Sequence, residues 1–278
     1  MRSLPFLLAA LLPALLGGAP APALELVRPI LSQMEGGAPE PPGFEYIPGQ
    51  TLFFACRIAN YAKSADAKIH LAYSVQPFDA KGVPLTELYK NDLTDEVTLQ
   101  DKEWLPKIAT EIALPPLIGS GSYRVVVKVE DLVGKATAEL SVPFTVRARS
   151  VEPSDTLVVR NFHFFRGEED AQALEKAAYR SGDGLWARFD LIGFRYGPNN
   201  RIDVSYVTSI LGAGGKVLWT QPEPAVEQSE SFYPKRYVAG AMGLSLQGTK
   251  PGSYTLQIQV KDAIGNQTCA AQQVFTVE

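Results

Sequence analysis

Few residues in this 278-residue chain have the type and spacing for chemistry. There are two cysteines, Cys56 and Cys269, and two histidines, His70 and His163. A structural zinc site needs several Cys or His ligands at close spacing, and neither pair offers that. A nucleophilic thiol needs a base beside it, and no His sits near either cysteine in the sequence. Free cysteine otherwise packs as a small hydrophobe, so both thiols are expected buried and unpaired, with no disulfide. His163 lies in the aromatic run Phe162-His163-Phe164-Phe165, and His70 on the outward phase of an alternating run. Both read as surface or interface polar residues. No Gly-x-Ser-x-Gly elbow is present to carry a Ser-His-Asp triad. Gly212-Ala213-Gly214-Gly215 lies between strand patterns rather than before a helix, so it is no phosphate loop. These observations predict no catalytic residue, no metal and no cofactor.

Asp131 and Asp262 are the carboxylates with the clearest positions. Each stands three residues before a glycine, Gly134 and Gly265. Calcium needs six or more oxygens, and only Glu130 adjoins Asp131, replaced by Lys261 in the other case. Asp side chains in such places bond the following backbone, so all four residues are assigned to turns. Glu168-Glu169-Asp170 reads as a solvated face or a helix start. The remaining candidates are aromatic residues in irregular segments: Trp104, Trp219, Phe232, Tyr233 and Tyr237. Exposed Trp and Tyr anchor interfaces and stack on sugars, so these five are the candidate binding residues. The alternative is that they close the ends of their own cores.

The elements that must position these residues are written twice. Gly121-Ser122-Tyr123, Asp131-Leu132-Val133-Gly134 and Phe144-Thr145-Val146 return as Gly252-Ser253-Tyr254, Asp262-Ala263-Ile264-Gly265 and Phe275-Thr276-Val277. Between them Val125, Val127 and Val129 match Leu256, Ile258 and Val260. Strict alternation is the signature of a strand, because successive side chains point to opposite faces. The four-residue segments ending in glycine are hairpin loops. Earlier, Leu52, Phe54, Cys56 and Ile58 match Leu185, Ala187, Phe189 and Leu191, and Ile69, Leu71, Tyr73 and Val75 match Ile202, Val204, Tyr206 and Thr208. A shared register over several strands implies internal duplication. Leu24 to Arg28 and Leu157 to Arg160 open the copies as strands. Glu87 to Lys107 and Trp219 to Tyr237 diverge most, the first charged and non-periodic. The segment Gly167 to Ala178 is rich in helix formers, which predicts a short helix there.

About seven strands per copy, each with one apolar face, predict an all-β chain of two tandem immunoglobulin-like β-sandwiches. The boundaries are residues 24–149 and 150–278, joined by the polar linker Arg147 to Asp155. The pattern of Pro-Gly, strand, turn, Gly-x-Tyr and Val-x-Asp-x-x-Gly resembles exported bacterial immunoglobulin-like or fibronectin-III-like modules. That resemblance implies architecture. Such modules serve as adhesins, spacers, sugar-binding accessories and inhibitors.

Residues 1–23 read as a signal peptide. Arg2 is followed by an apolar run from Leu4 to Leu16, and Ala21-Pro22-Ala23 supplies small residues before Leu24. The run is short of the roughly 20 apolar residues that cross a bilayer. The formal net charge of −4 and absence of a basic cluster speak against nucleic acid. The sequence therefore predicts a periplasmic or secreted chain with no membrane span after signal cleavage and a protein or glycan partner in the cell envelope. Two other readings are a chaperone-like or inhibitor protein that complements a partner's strand or loop, and an enzyme with an inter-domain site. N-terminal sequencing of the exported protein is expected to begin at Leu24, and a retained Met1 would reject cleavage.

Overall fold

The computed structural model describes residues 22–278 apart from Lys102; the leader predicted over residues 1–23 lies, save Pro22 and Ala23, outside them. The described chain is built of strands. The first half contributes β1 (Glu25–Ser32), β2 (Glu45–Tyr46), β3 (Thr51–Ala59), β4 (Lys68–Phe78), β5 (Tyr89–Glu96), β6 (Lys107–Ala113), β7 (Gly121–Asp131) and β8 (Ala136–Val146). The second contributes β9 (Val158–Phe165), β10 (Ala178–Tyr179), β11 (Gly184–Ile192), β12 (Ile202–Leu211), β13 (Val217–Thr220), β14 (Ala225–Ser229), β15 (Val238–Ser245), β16 (Gly252–Asp262) and β17 (Gln267–Val277).

Each half makes two sheets. A three-stranded sheet has the order β1-β3-β6 in one half and β9-β11-β15 in the other. The larger sheet runs β2-β8-β7-β4-β5 and, correspondingly, β10-β17-β16-β12-β13, with β14 also pairing β12. β2 and β10 run parallel to β8 and β17, and the other ladders are antiparallel. The sheets pack through their alternating apolar faces. Leu52, Phe54, Cys56 and Ile58 of β3 share one core with Leu71, Val125 and Val127. Leu185, Ala187, Phe189 and Leu191 of β11 share the other with Val204, Leu256 and Ile258. Fully burying one such aliphatic or aromatic side chain stabilises the fold by roughly 1.5–3 kcal/mol.

The strands number eight and nine, where alternation predicted about seven in each half. β2 and β10 are two residues long, too short to leave a periodic trace. β5 is an exposed edge strand with charged Lys90, Asp92, Asp95 and Glu96, so it has no apolar face to announce it. Charge on an edge discourages further pairing. On the other half's edge, Pro222 and Pro224 separate β13 from β14 and break the ladder. β7, the apolar run Val125 to Val129, is paired on both sides by β4 and β8 and has no free edge.

The helix predicted over Gly167 to Ala178 does not form. The segment is bends and coil, and its end becomes β10. Asp170 Oδ2 accepts the Arg166 and Gly167 N–H groups at 3.2 and 2.9 Å, and Leu174 N–H donates to Phe164 O at 2.8 Å. Side-chain bonds to backbone compete with a helical ladder, and the docking of Leu174 on the second core settles the contest.

The two long hairpins are closed by buried aspartates. Asp131 Oδ1 accepts Val133 N–H at 3.0 Å and Gly134 N–H at 2.9 Å, while Oδ2 accepts Ala62 N–H from the β3–β4 connection at 2.7 Å. Asp262 does the same. Its Oδ1 accepts Ile264 and Gly265 N–H at 3.1 and 3.0 Å, and its Oδ2 accepts Arg195 N–H at 2.9 Å and Gln267 Nε2 at 3.1 Å. A Cβ on Gly265 would stand 2.2 Å from Asp262 Oδ2, so the turn requires glycine there. Each aspartate thus shapes its own turn and fastens a connection that is distant in sequence. Asp262→Ala would leave several donors unpartnered, one of them, Arg195 N–H, tying a separate connection to the hairpin. The expected loss is about 3 kcal/mol, read as a lower urea midpoint at unchanged slope. A loss below about 1 kcal/mol would show that the turn does not depend on this carboxylate.

Candidate functional site

The two halves meet across a groove of about 620 Å³. It lies between the β4–β5 and β6–β7 connections of the first half and the β11–β12 and β14–β15 connections of the second, with the linker along it. Two further grooves, of about 510 and 900 Å³, lie on the outer faces of the first half's small and large sheets. The groove between the halves differs because contacts from both halves fix its shape.

Its centre is Asp79, directly after β4 and 3% exposed. Oδ1 accepts Lys81 and Val83 N–H at 2.9 and 2.8 Å, which forms the turn. Oδ2 is turned to the other half. It accepts the Tyr233 hydroxyl at 3.0 Å and Arg236 Nη2 at 3.2 Å, and the same Arg236 nitrogen donates to the Tyr233 oxygen. Burial pushes the Asp79 carboxyl upward. Hydrogen bonds from Val83, Tyr233 and Lys81 and the Arg236 charge outweigh it and hold the pKa below its ordinary 3.8. Tyr233 is 4% exposed and packs into the core of the first half, although it is carried by the second.

A second anchor is made by the linker. Arg149 Nη2 donates to Asp190 Oδ2, which also accepts Asn161 Nδ2 at 2.7 Å. Asp190 is fully buried in β11 on the outward phase of its sheet, beside the bulge at Asn161 (φ 49°). Burial raises its pKa despite the Asn161 and Arg149 bonds, and its Oδ1 has no hydrogen-bond partner among the described residues. The Arg149 guanidinium also stands over the Tyr237 ring, 5.9 Å from its centroid. Ala148 and Ser120 hold the start of the linker, through Ala148 N–H to Ser120 Oγ and Ser120 Oγ–H to Ala148 O, both 2.8 Å.

The five aromatic candidates are not brought together. Trp104 packs edge-on to Tyr61, with ring centroids 6.5 Å apart, against the first core. Trp219 packs on the second core. Phe232 is 50% exposed. Tyr237 lines the groove, and Tyr233 is sealed beneath it in the neighbouring core rather than its own. Sequence reasoning did not single out Asp79, Arg149, Asp190 or Arg236. Nothing local to Asp79 signals a partner 154 positions away.

The cysteines remain apart and unbonded, Cys56 buried and Cys269 half-buried rather than buried. Burial pushes the Cys56 thiol up to about 12 and raises Cys269 as well. His70 Nε2 lies 3.9 Å from Asp92 Oδ2 on the surface, and His163 is exposed on β9. Among the described residues no three His, Cys, Asp or Glu side chains gather as a metal site. None of their helices is long and apolar enough to cross a membrane.

No protein-family model matches the chain, and no curated protein matches it. Among solved structures, the chain is similar to the C-terminal domain of the Streptococcus agalactiae AgI/II polypeptide BspA. Identity is 10% and the TM-score 0.31, over 90% of this chain and all of that one. A likeness at that level adds nothing to the geometry above.

Tyr233→Phe keeps the ring in the first core but deprives Asp79 of a buried donor, with an expected cost of about 1–3 kcal/mol. The acid dependence follows from the depressed Asp79 pKa. The contact contributes fully above pH 3.8, the carboxyl's ordinary value, and is lost as pH falls through the lower folded value. Asp79→Asn is therefore expected to be less stable at neutral pH and to show a flatter acid limb in urea titrations. An unchanged limb would remove Asp79 from the account.

Proposed function

We propose that this chain is an exported, non-enzymatic binding protein whose two immunoglobulin-like sandwiches, related by duplication, present the groove between them to a protein or glycan partner in the cell envelope. The observation that carries this reading is the buried Asp79–Tyr233–Arg236 contact. It makes the groove one preformed surface with walls from both halves, and a preformed surface spends less binding energy on ordering itself. Residues 24–149 and 150–278 are the two units. Duplication is supported by the repeated sheet order, the repeated bulges at Arg28 and Asn161, and the repeated aspartate turns. Export is supported by the leader pattern of the sequence. The non-enzymatic reading is supported by thiols whose pKa burial raises and by two histidines that lie on different strands, one in each half.

A photo-reactive amino acid at Ser122, exposed on the groove wall, is expected to give a discrete adduct in the source cells. The same group at Gln259, exposed on β16, is the control. No adduct from Ser122, or the same adduct from both positions, would reject the groove as the binding surface.

A further inference from the structure

Resting on the reading of the groove as a binding surface, we infer that its occupant is an extended, acidic peptide segment of a protein partner. The first reason is charge. Lys81, Arg149, Arg195 and Arg236 line the groove, in a chain whose formal net charge is −4. Of the acids that line it, Asp79 is buried and already accepts four donors, which leaves Asp155. Lys81 and Arg195 form no ion pair among the described residues, and both are exposed.

The second reason is how the arginines are held. Arg236 and Arg149 each use Nη2 on a buried carboxylate, Asp79 and Asp190, and yet their side chains stay 42% and 47% exposed. Their Nη1 and Nε groups make no hydrogen bond among the described residues. A guanidinium anchored by one nitrogen offers its remaining donors in a fixed orientation, which suits a carboxylate. Arg195 is positioned too, since Asp262 holds its backbone N–H.

The third reason separates a peptide from an acidic glycan. The linker runs along the groove, and the backbone groups of residues 149–153 make no hydrogen bond to other described residues. It is a free ledge of N–H and C=O groups, apart from Pro153, which has no N–H. An extended peptide matches such a ledge through its own main chain, as in strand addition, and projects alternate side chains to opposite sides. One set meets the guanidinium groups. The other meets Val83, Leu117 and Val151, which also line the groove.

The test uses fluorescence anisotropy of the full mature protein with a labelled decapeptide alternating Glu and Val, its Lys-for-Glu counterpart, and oligogalacturonate as a competitor. The Glu peptide is expected to bind, to weaken steeply with added salt, and to lose about tenfold in affinity in Lys81→Glu/Arg195→Glu. Both side chains are exposed, so the melting temperature is expected to hold. Lys81→Gln/Arg195→Gln checks the same direction without adding charge. Lys250→Glu, exposed and away from the groove, leaves binding unchanged. Equal binding of the Lys peptide, indifference to the Lys81 and Arg195 changes, or binding of oligogalacturonate in place of the peptide would overturn the inference. Failure of the peptide while Ser122 still captures a partner rejects this inference alone; failure of both rejects the groove.

Discussion

A carboxylate with almost no access to water holds this molecule in its shape. Asp79 is taken from solvent at a cost of several kcal/mol, and that cost is offset only while its four donors stay in place. Two donors come from its own turn and two from the other half of the chain. The turn and the junction are therefore one interaction. Removing either partner would leave a buried charge underserved, so loosening the junction carries a cost although each half has a core of its own.

The same device recurs. Asp131 and Asp262 each use one oxygen for the local turn and the other for a distant connection. Asp190 uses one oxygen for the bulge at Asn161 and for the linker arginine. Sandwiches of this kind have many exposed connections and little regular structure to hold them. A carboxylate with two acceptor oxygens is a compact way to join two segments, since it satisfies backbone N–H groups that would otherwise need water. Because Asp262 also fixes the backbone of Arg195, one carboxylate fastens a turn through Oδ1 and places a groove cation through Oδ2.

Tyr233 shows how a side chain can belong to a core its own half does not build. Its ring is sealed among residues of the first half, near Tyr123, and its hydroxyl reaches Asp79. An aromatic ring with a polar tip suits a junction, because the ring fills apolar space and the tip finds a partner. The groove above it inherits that rigidity. The Arg149 and Arg236 guanidinium groups are held on the far side by buried acids, so their outward donors need little reordering to meet an anion.

The sequence by itself determined the strands with one buried face. In β3, β4, β7, β11, β12 and β16 the period of two is dictated by which side chains avoid water, and that preference is local. It also marked the aspartate turns, since Asp followed by Gly three residues later is a short-range geometry. What it did not mark were elements with no apolar stripe: β5 is exposed, β2 and β10 are two residues long, and Gly167 to Ala178 favoured a helix until the docking of Leu174 and the Asp170 bonds overruled propensity. The groove was decided by tertiary structure alone. Asp79 and Arg236 stand 157 positions apart, Arg149 and Asp190 stand 41 apart, and nothing in the residues around either member of a pair favours the other. Only the packing of one half against the next removes those carboxylates from water and makes a particular arginine or tyrosine the group that must answer them.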